Sequence, residues 1–168
     1  MDVKAKVLKV KTVCGSINAN PFKFGIIVSK FNEFITQALL QGCLETLLKA
    51  NANEANIVVY YCPGAFEIPY LANELAEMHQ YDAIITLGCV IRGATAHFDY
   101  VAGQVASGVA GLALKHKVPI IFGVLTTETI EQAIERSGTK AGNKGCDAAL
   151  AAIDMASLKH KLNNSIDE

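Results

Sequence analysis

The sequence lacks the features that mark nucleic-acid-binding, membrane-spanning and secreted proteins. Its 15 Lys and Arg nearly balance its 16 Asp and Glu, for a formal net charge of -1, and neither sign clusters along the chain. This balance favours a small-molecule partner over nucleic acid or an anionic membrane. No apolar run is long enough to span a bilayer, and residues 1–11 lack the apolar block of a signal peptide. We therefore expect a cytoplasmic protein.

Disulfide, metal and nucleotide motifs are missing as well. The cysteines are odd in number and never occur at C-x-x-C spacing, which argues against a disulfide framework or a structural zinc site. His79, His116 and His160 stand apart from one another and from paired carboxylates, so a metal site has little support. The glycines of residues 138–145 lack the G-x-x-x-x-G-K-[ST] spacing of a P-loop, so ATP is not indicated. We interpret as reduced thiols Cys14, Cys43, Cys62, Cys89 and Cys146.

What the chain does contain is a regular alternation of strand-like and helix-like segments. With 168 residues, of which 51% are hydrophobic, it is sized for one well-packed domain. Four apolar runs of strand length are each followed by apolar residues at helical spacing, with no hairpin signal between them. This order predicts a three-layer α/β/α fold of flavodoxin-like architecture with a mainly parallel four-stranded sheet. The predicted strands are residues 24–30, 57–62, 81–87 and 119–126.

Two regions of the predicted single domain, residues 1–168, lie outside this alternation. Residues 1–22 form a predicted N-terminal arm. Within it, residues 7–13 alternate apolar side chains with lysines, which predicts a strand at a sheet edge, on a neighbouring subunit if the chain assembles. Residues 138–145 are expected to form a polar, glycine-rich loop before a final helix.

Local signals indicate where the helices begin. Asn32 follows the first strand and can cap the first helix. Pro69 must lie in or near the first turn of the second helix, because that is the one helical position that tolerates proline. The residues expected on the inner face of the first helix are Phe34, Ile35, Leu39, Leu40, Cys43, Leu47 and Leu48.

Residues 87–100 carry the strongest functional signal. An apolar strand ends there in a turn of small residues, 93–96, and a helix follows. The free amides of a helix start and side chains this small suit a phosphate or carboxylate. His97, at the head of the helix, can transfer protons near neutral pH. A capped helix start without a ligand and a surface histidine are equally weighted alternatives. Cys89 raises the alternative of a Cys/His nucleophile, but a small apolar filler at a strand end is favoured.

In parallel α/β sheets, ligands bind at the carboxyl ends of the strands, where the chain order reverses. This rule brings Phe31, Phe66 and Glu67 near the small-residue turn, where a flat heterocycle could stack on the rings and be read by the carboxylate. Considered singly, the phenylalanines are better interpreted as core residues and the carboxylate as a complement to a helix start. Arg136 could grip a phosphate, but neutralisation of neighbouring glutamates on a solvated face is the preferred interpretation.

Five segments are informative as a set: residues 31–35 (FNEFI), 63–69 (PGAFEIP), 87–97 (LGCVIRGATAH), 122–128 (FGVLTTE), and 131–136 with 138–145 (EQAIER, GTKAGNKG). Together, and in this order, they closely resemble the 6,7-dimethyl-8-ribityllumazine synthase family. The resemblance covers nearly the whole chain beyond Phe24. It implies condensation of 5-amino-6-(ribitylamino)uracil with 3,4-dihydroxy-2-butanone 4-phosphate, the penultimate step of riboflavin biosynthesis. Phosphate and water are released, and neither a cofactor nor a metal is used.

The resemblance also implies roles for individual residues. His97 would transfer protons, and Phe122 would close the pocket from a neighbouring subunit. Cys89 and Ala96 depart from many family members, which have threonine at the first position and can have a second threonine at the other. The residues implied for the phosphate are Ala94, Thr95 and Arg136. Those implied for the pyrimidine ring and the ribityl chain are Phe31, Ala65, Phe66, Glu67, Cys89, Val90, Ile91 and Lys144.

A homo-oligomer is implied too. The family builds pentamers, and many members assemble twelve of them into a hollow icosahedral shell of about 60 subunits. The uninterrupted segment 138–145 resembles the shell-forming members, so we expect a shell with active sites at subunit interfaces. Because fold alone does not give function, two alternatives stay open: a flavin- or lumazine-binding module without turnover, and a shell-forming scaffold with a vestigial site.

Overall fold

Residues 11–164 are described by the structure, a computed structural model, and they place one parallel sheet between two layers of helices. This arrangement confirms the predicted three-layer α/β fold. The strands are β1 (Phe24–Ser29), β2 (Ile57–Cys62), β3 (Ala83–Ile91), β4 (Ile120–Thr127), β5 (Ser137–Thr139) and β6 (Gly142–Asn143). The helices are α1 (Glu33–Lys49), α2 (Ile68–Glu77), α3 (His97–His116), α4 (Ile130–Arg136) and α5 (Lys144–Asn164). Short 3-10 helices, Glu54–Asn56 and Ala65–Glu67, precede β2 and α2.

The order of the strands in the main sheet is β2-β1-β3-β4, and every neighbouring pair is parallel. Phe24 of β1 lies opposite Ile57 of β2 on one side and opposite Ala83 of β3 on the other. The chain therefore leaves β1 toward one edge and later returns to its other side, so that the order reverses between β1 and β3. Ligands are expected at the carboxyl ends of these two strands.

Both faces of the two central strands, β1 and β3, are buried. All six residues of β1 and eight of the nine residues of β3 are buried. Strands covered on both sides need no polar face, which explains why they occur as continuous apolar runs in the sequence. One core cluster lies beneath α1 and α5 and includes Ile26, Leu39, Leu87 and Ile153. The other lies beneath α2 and α3 and includes Ile27, Ile68, Ile84 and Val105.

The start of α1 differs from the prediction. Asn32 precedes the helix in a left-handed conformation (φ 59°), and its side chain makes no capping hydrogen bond. Asparagine tolerates this conformation better than most residues. Its Nδ2 instead donates to the Cys89 carbonyl at 2.9 Å. The side chain of Asn32 therefore ties the end of β1 to the end of β3.

The buried face of α1 is narrower than predicted. Phe34 is 78% exposed and Leu48 is 42% exposed, so these two predictions are wrong for the single chain. The two residues are separated by about four helical turns and lie on the same flank. In contrast, Pro69 lies in the first turn of α2, as predicted. The predicted α1 residues that are buried are Ile35, Leu39, Leu40, Cys43 and Leu47.

Residues 138–145 do not form the predicted loop. β5 and β6 pair as a small antiparallel hairpin, and α5 begins directly after it. Gly138 (φ 134°) and Gly142 (φ 75°) adopt positive φ angles that side chains rarely allow. The Nδ2 atom of Asn143 donates to the carbonyl of Ala38 in α1 at 2.9 Å, which anchors the hairpin to that helix.

The N-terminal arm packs on α5, where the Ser16 amide donates to the Ser157 hydroxyl at 3.1 Å. The predicted strand at residues 7–13 falls largely outside the described residues, and residues 11–13 form no strand in the single chain. None of the helices in the described part of the chain has the length and hydrophobicity that a membrane span requires.

Candidate active site

A cleft of about 700 Å³ opens at the carboxyl ends of β1, β2 and β3, where the order of the strands reverses. We call it the first cleft. Nine of the thirteen residues predicted for the site line it, although they come from four separate segments of the chain. These nine are Phe31, Ala65, Phe66, Glu67, Cys89, Val90, Ile91, Thr95 and His97.

Two aromatic rings of the first cleft are open to solvent in the single chain. Phe31 is 71% exposed and Phe66 is 55% exposed, so the interpretation of both as core residues is wrong. Large apolar side chains that are grouped at a concave surface and left exposed are typical of a site covered by a ligand or by another chain.

The carboxylate of Glu67 lies beside these rings and accepts no hydrogen bond from the described chain. A Cβ atom at Gly64 would lie only 3.1 Å from its Oε2 atom, so glycine keeps the space beside the carboxylate clear. Its charge acts on the Cys62 thiol, whose pKa is raised to about 11 by burial first and by Glu67 second. An unpartnered carboxylate of this kind can accept hydrogen bonds from hydroxyl or ring N–H groups.

The small-residue turn, 93–96, is exposed beside the carboxylate and the rings. A Cβ atom at Gly93 would meet nothing within 4 Å, so packing within the chain does not explain the small side chains. No side chain of the described residues caps the start of α3, and the amides of His97 and Phe98 are available to an anion, whereas the Asp99 amide donates to the Ala96 carbonyl. Ala94 belongs to the turn but does not itself line the cleft, whereas Gly93 and Thr95 on either side of it do.

The imidazole of His97 is exposed at the first cleft and makes no hydrogen bond within the described chain. A ring in this position can exchange a proton with a bound ligand. Tyr100 and Val101 line the same wall one helical turn further along α3, and neither was predicted for the site. Their spacing of three and four residues from His97 is the signal that could have identified them.

The side chain of Cys89 belongs to the core. It is 2% exposed and packs in the cluster beneath α1 and α5. Burial raises the pKa of its thiol to about 11, which leaves little thiolate at neutral pH. These observations match the favoured interpretation of a small core residue and argue against a nucleophile. Within residues 11–164, no three His, Cys, Asp or Glu side chains are grouped so that they could hold a metal ion.

Alkylation of the folded protein with iodoacetamide at pH 8 should spare Cys43, Cys62 and Cys89. Burial is the main cause that raises their pKa values to about 12, 11 and 11, so they stay protonated below that pH range. At pH 8 only about one thiol in a thousand or fewer is then a reactive thiolate. Cys14 is exposed and should react. Peptide mass spectrometry measures each site, with the urea-unfolded protein as control. Modification of Cys89 as fast as Cys14 would contradict this prediction.

A second cleft, of about 470 Å³, runs along β4, the edge strand of the sheet. One side of β4 pairs with β3, and its other side has no strand partner among the described residues. Residues 121–126 of β4 line it, together with the end of α4 and the start of α5. Three predicted site residues lie here and not in the first cleft: Phe122, Arg136 and Lys144. One chain by itself therefore does not bring Arg136 together with the turn that contains Thr95.

The two cationic side chains of the second cleft, Arg136 and Lys144, use only part of their N–H groups in contacts within the chain. Nη1 of Arg136 donates to the Gln132 carbonyl at 3.0 Å and lies 3.9 Å from the Glu135 carboxylate. The other N–H groups of its guanidinium are available to a ligand. Lys144 Nζ lies 2.7 Å from the Asp147 carboxylate on the surface of α5. The preferred interpretation, that Arg136 neutralises a neighbouring glutamate, is thus met only by a long contact. Most N–H groups of the guanidinium stay available to a ligand.

Comparison with known proteins matches a part of the chain that includes all residues lining the two clefts. The sequence model of the family described as 6,7-dimethyl-8-ribityllumazine synthase matches residues 21–160. A curated relative from Chloroherpeton thalassium, named 6,7-dimethyl-8-ribityllumazine synthase, is 53% identical over 151 residues, or 90% of this chain and 97% of the relative. The chain belongs to the 6,7-dimethyl-8-ribityllumazine synthase family.

Proposed function

We propose that this protein forms 6,7-dimethyl-8-ribityllumazine from 5-amino-6-(ribitylamino)uracil and 3,4-dihydroxy-2-butanone 4-phosphate, releasing phosphate and water. The observation that carries the proposal is the convergence of nine predicted residues in the first cleft. Its volume of about 700 Å³ is in the range of small-molecule sites. The reaction is an amine addition to a ketone, followed by loss of water, elimination of phosphate and ring closure. Each step moves protons, and none needs a redox change.

The aromatic end of the first cleft suits the pyrimidine substrate. The exposed rings of Phe31 and Phe66 offer flat surfaces for stacking. Glu67 can accept hydrogen bonds from the ribityl hydroxyls, and the main chain of residues 89–91 can read the polar edge of the ring. Holding the amine here, next to the anion-binding turn, raises its effective concentration toward the second substrate.

The small-residue turn, 93–96, and the start of α3 suit the phosphorylated substrate. The hydroxyl of Thr95 and the uncapped amides at the start of α3 can donate to phosphate oxygens, and the positive end of the helix dipole favours the same charge. His97 directly follows the turn and lines the same cleft as the two aromatic rings, and it can move protons as water and phosphate leave.

The complete site, in our proposal, forms between two copies of the chain. A ring that repeats one head-to-tail contact would join the first cleft of each copy to the second cleft of its neighbour. Arg136 would then complete the phosphate site, Phe122 would close the pocket, and Lys144 would lie near the pyrimidine ring. The open state of both clefts in the single chain supports this arrangement. A pentamer, and a shell of twelve pentamers, are the assemblies that we propose.

Mixing the purified protein with both substrates tests the proposed function. Formation of the fluorescent lumazine should exceed the uncatalysed rate by orders of magnitude. Formation at the background rate by a folded, assembled protein would contradict the proposal and would favour a flavin- or lumazine-binding or scaffold protein without turnover.

Thr95→Val should raise KM for the butanone phosphate about tenfold, because a hydrogen bond to a charged group contributes about 1.5 kcal/mol or more. KM for the pyrimidine should change less than about twofold, since the hydroxyl faces the phosphate in our proposal. Thr12→Val is the matched control, because Thr12 is exposed and lines neither cleft. Steady-state kinetics with each substrate varied in turn measures both constants. An unchanged KM for the butanone phosphate would remove Thr95 from the phosphate site.

A further inference from the structure

Arg92 directly follows β3, precedes the small-residue turn, and connects three elements. Its Nη1 and Nη2 atoms donate to the two carboxylate oxygens of Asp99, in the first turn of α3, at 3.1 and 2.8 Å. Its Nε lies 2.8 Å from the carboxylate of Glu128, just after β4. Its Cζ lies 4.1 Å from the centroid of the Phe98 ring, and its amide donates to the Thr127 carbonyl at 2.9 Å.

These contacts use three of the five N–H groups of the Arg92 guanidinium within the chain. The hydrogen bond from Arg92 is the main cause that lowers the pKa of the Asp99 carboxyl, so the pair is charged at neutral pH. Arg92 lines neither of the two clefts. In the single chain, an effect of Arg92 on binding in either cleft therefore passes through the groups that it holds.

Two of the groups held by Arg92, Phe98 and Asp99, lie in the first turn of α3, next to the proposed phosphate site. Phe98 lines the wall of the first cleft, and Asp99 lies two residues after His97 in the same helical turn. The turn between, 93–96, is exposed and has little packing of its own. A two-point contact between Arg92 and Asp99 sets the distance and the angle between the end of β3 and the start of α3. The shape of the turn depends on both.

We propose that Arg92 is a positioning residue for the phosphorylated substrate. Its fork with Asp99, braced by Glu128, holds the turn 93–96 and the first amides of α3 in the geometry that receives the phosphate. This inference rests on the proposed function of the first cleft, and it names the residue that organises the phosphate end of that site.

Arg92 could act by positioning the turn, through its charge alone, or by stabilising the fold. These three roles predict different effects of substitution on phosphate binding. Asp99→Asn removes a negative charge beside the turn, so charge alone predicts stronger phosphate binding. Positioning predicts weaker binding, because the fork loses its partner and the amides lose their alignment. Arg92→Lys keeps the positive charge but cannot make the two-point contact. Exposed ion pairs add little to stability, so neither variant should unfold the protein.

The experiment compares the wild type with Arg92→Lys, Asp99→Asn and the double variant. Lys49→Gln is the control, because it breaks an exposed ion pair with Glu45 far from both clefts. Isothermal titration calorimetry measures binding of inorganic phosphate, and steady-state kinetics measures KM for each substrate. Thermal unfolding at equal protein concentration reports on stability.

We expect each single variant to weaken phosphate binding and to raise KM for the butanone phosphate, both by about tenfold. KM for the pyrimidine should stay within about twofold, and Tm within about 2 °C. The double variant should be no weaker than either single variant, because all three break the same contact. The control should match the wild type.

Stronger phosphate binding by Asp99→Asn, or unchanged binding by Arg92→Lys, would overturn the inference in favour of charge alone. Equal increases in both KM values together with a lower Tm would overturn it in favour of a structural role. A wild type that binds phosphate but forms no lumazine would refute the proposed function, while the phosphate titrations would still decide the role of Arg92.

Discussion

Chains carrying His97→Ala and chains carrying Arg136→Ala should each be about a hundredfold less active than the wild type, yet recover about a quarter of its rate when coexpressed. The expected recovery follows from where the two side chains lie. His97 lines the first cleft and Arg136 the second, and one chain does not bring them together. If each site joins the two clefts of neighbouring copies, random mixing leaves about one site in four with both halves intact.

The loss expected from each single variant has its own cause. His97→Ala removes the group that we propose for proton transfer, a role that contributes about a hundredfold or more. Arg136→Ala removes the guanidinium fork that we propose for binding the substrate phosphate, and two hydrogen bonds to a charged group, at about 1.5 kcal/mol each, contribute a similar factor. For Arg136→Ala the loss should appear mainly as a higher KM for the butanone phosphate.

A second pair of variants serves as the control for coexpression. His97→Ala and Glu67→Ala both change the first cleft, so their mixture contains no site with an intact first cleft and should not recover activity. Two different affinity tags allow purification of oligomers that contain both chains, and lumazine formation is then measured at equal protein concentration. Equal rates for the two mixtures would contradict a site built from two copies.

The sheet and the first cleft could be predicted because local patterns determine both. Continuous apolar runs such as β1 and β3 are what strands covered on both faces require, and their alternation with helices predicts a parallel sheet. Carboxyl ends of parallel strands share one edge, which brought residues as distant as Phe31 and His97 into one predicted site. The aromatic residues there were misjudged when considered singly, since a phenylalanine in isolation is more often a core residue.

Other features depend on contacts that no local pattern contains. Asn32 looked like a helix cap, but its side chain bonds to Cys89, whose carbonyl comes close only once β3 pairs with β1. The hairpin after α4 is held by Asn143 through a carbonyl of α1, more than a hundred residues away in the chain. The division of the predicted site between two clefts follows from the edge position of β4, and the order of strands in a sheet is not encoded in any single strand.

Gly145→Ala should lower Tm by about 10 °C, the largest stability effect that we expect from a single added methyl group. Gly145 lies in the first turn of α5, where that helix packs on α1. A Cβ atom there would collide with the carbonyl oxygen of Leu39 and would lie 2.7 Å from its carbonyl carbon. Because both atoms belong to the backbone of a helix, neither can rotate away as a flexible side chain could. The two helices must separate, at a cost of about 3 kcal/mol.

Gly111→Ala is the matched control, because it makes the same substitution in α3 at an exposed position where a Cβ atom would meet nothing within 4 Å. It should raise Tm slightly, since alanine is favoured over glycine in a helix by about 1 kcal/mol. Thermal unfolding must be compared at equal protein concentration, because assembly stabilises the folded chain by mass action. Equal Tm values for the two variants would show that α5 can move away from α1 without loss. The start of α5, where Lys144 lines the second cleft, would then not be fixed by its close packing against α1 at Gly145.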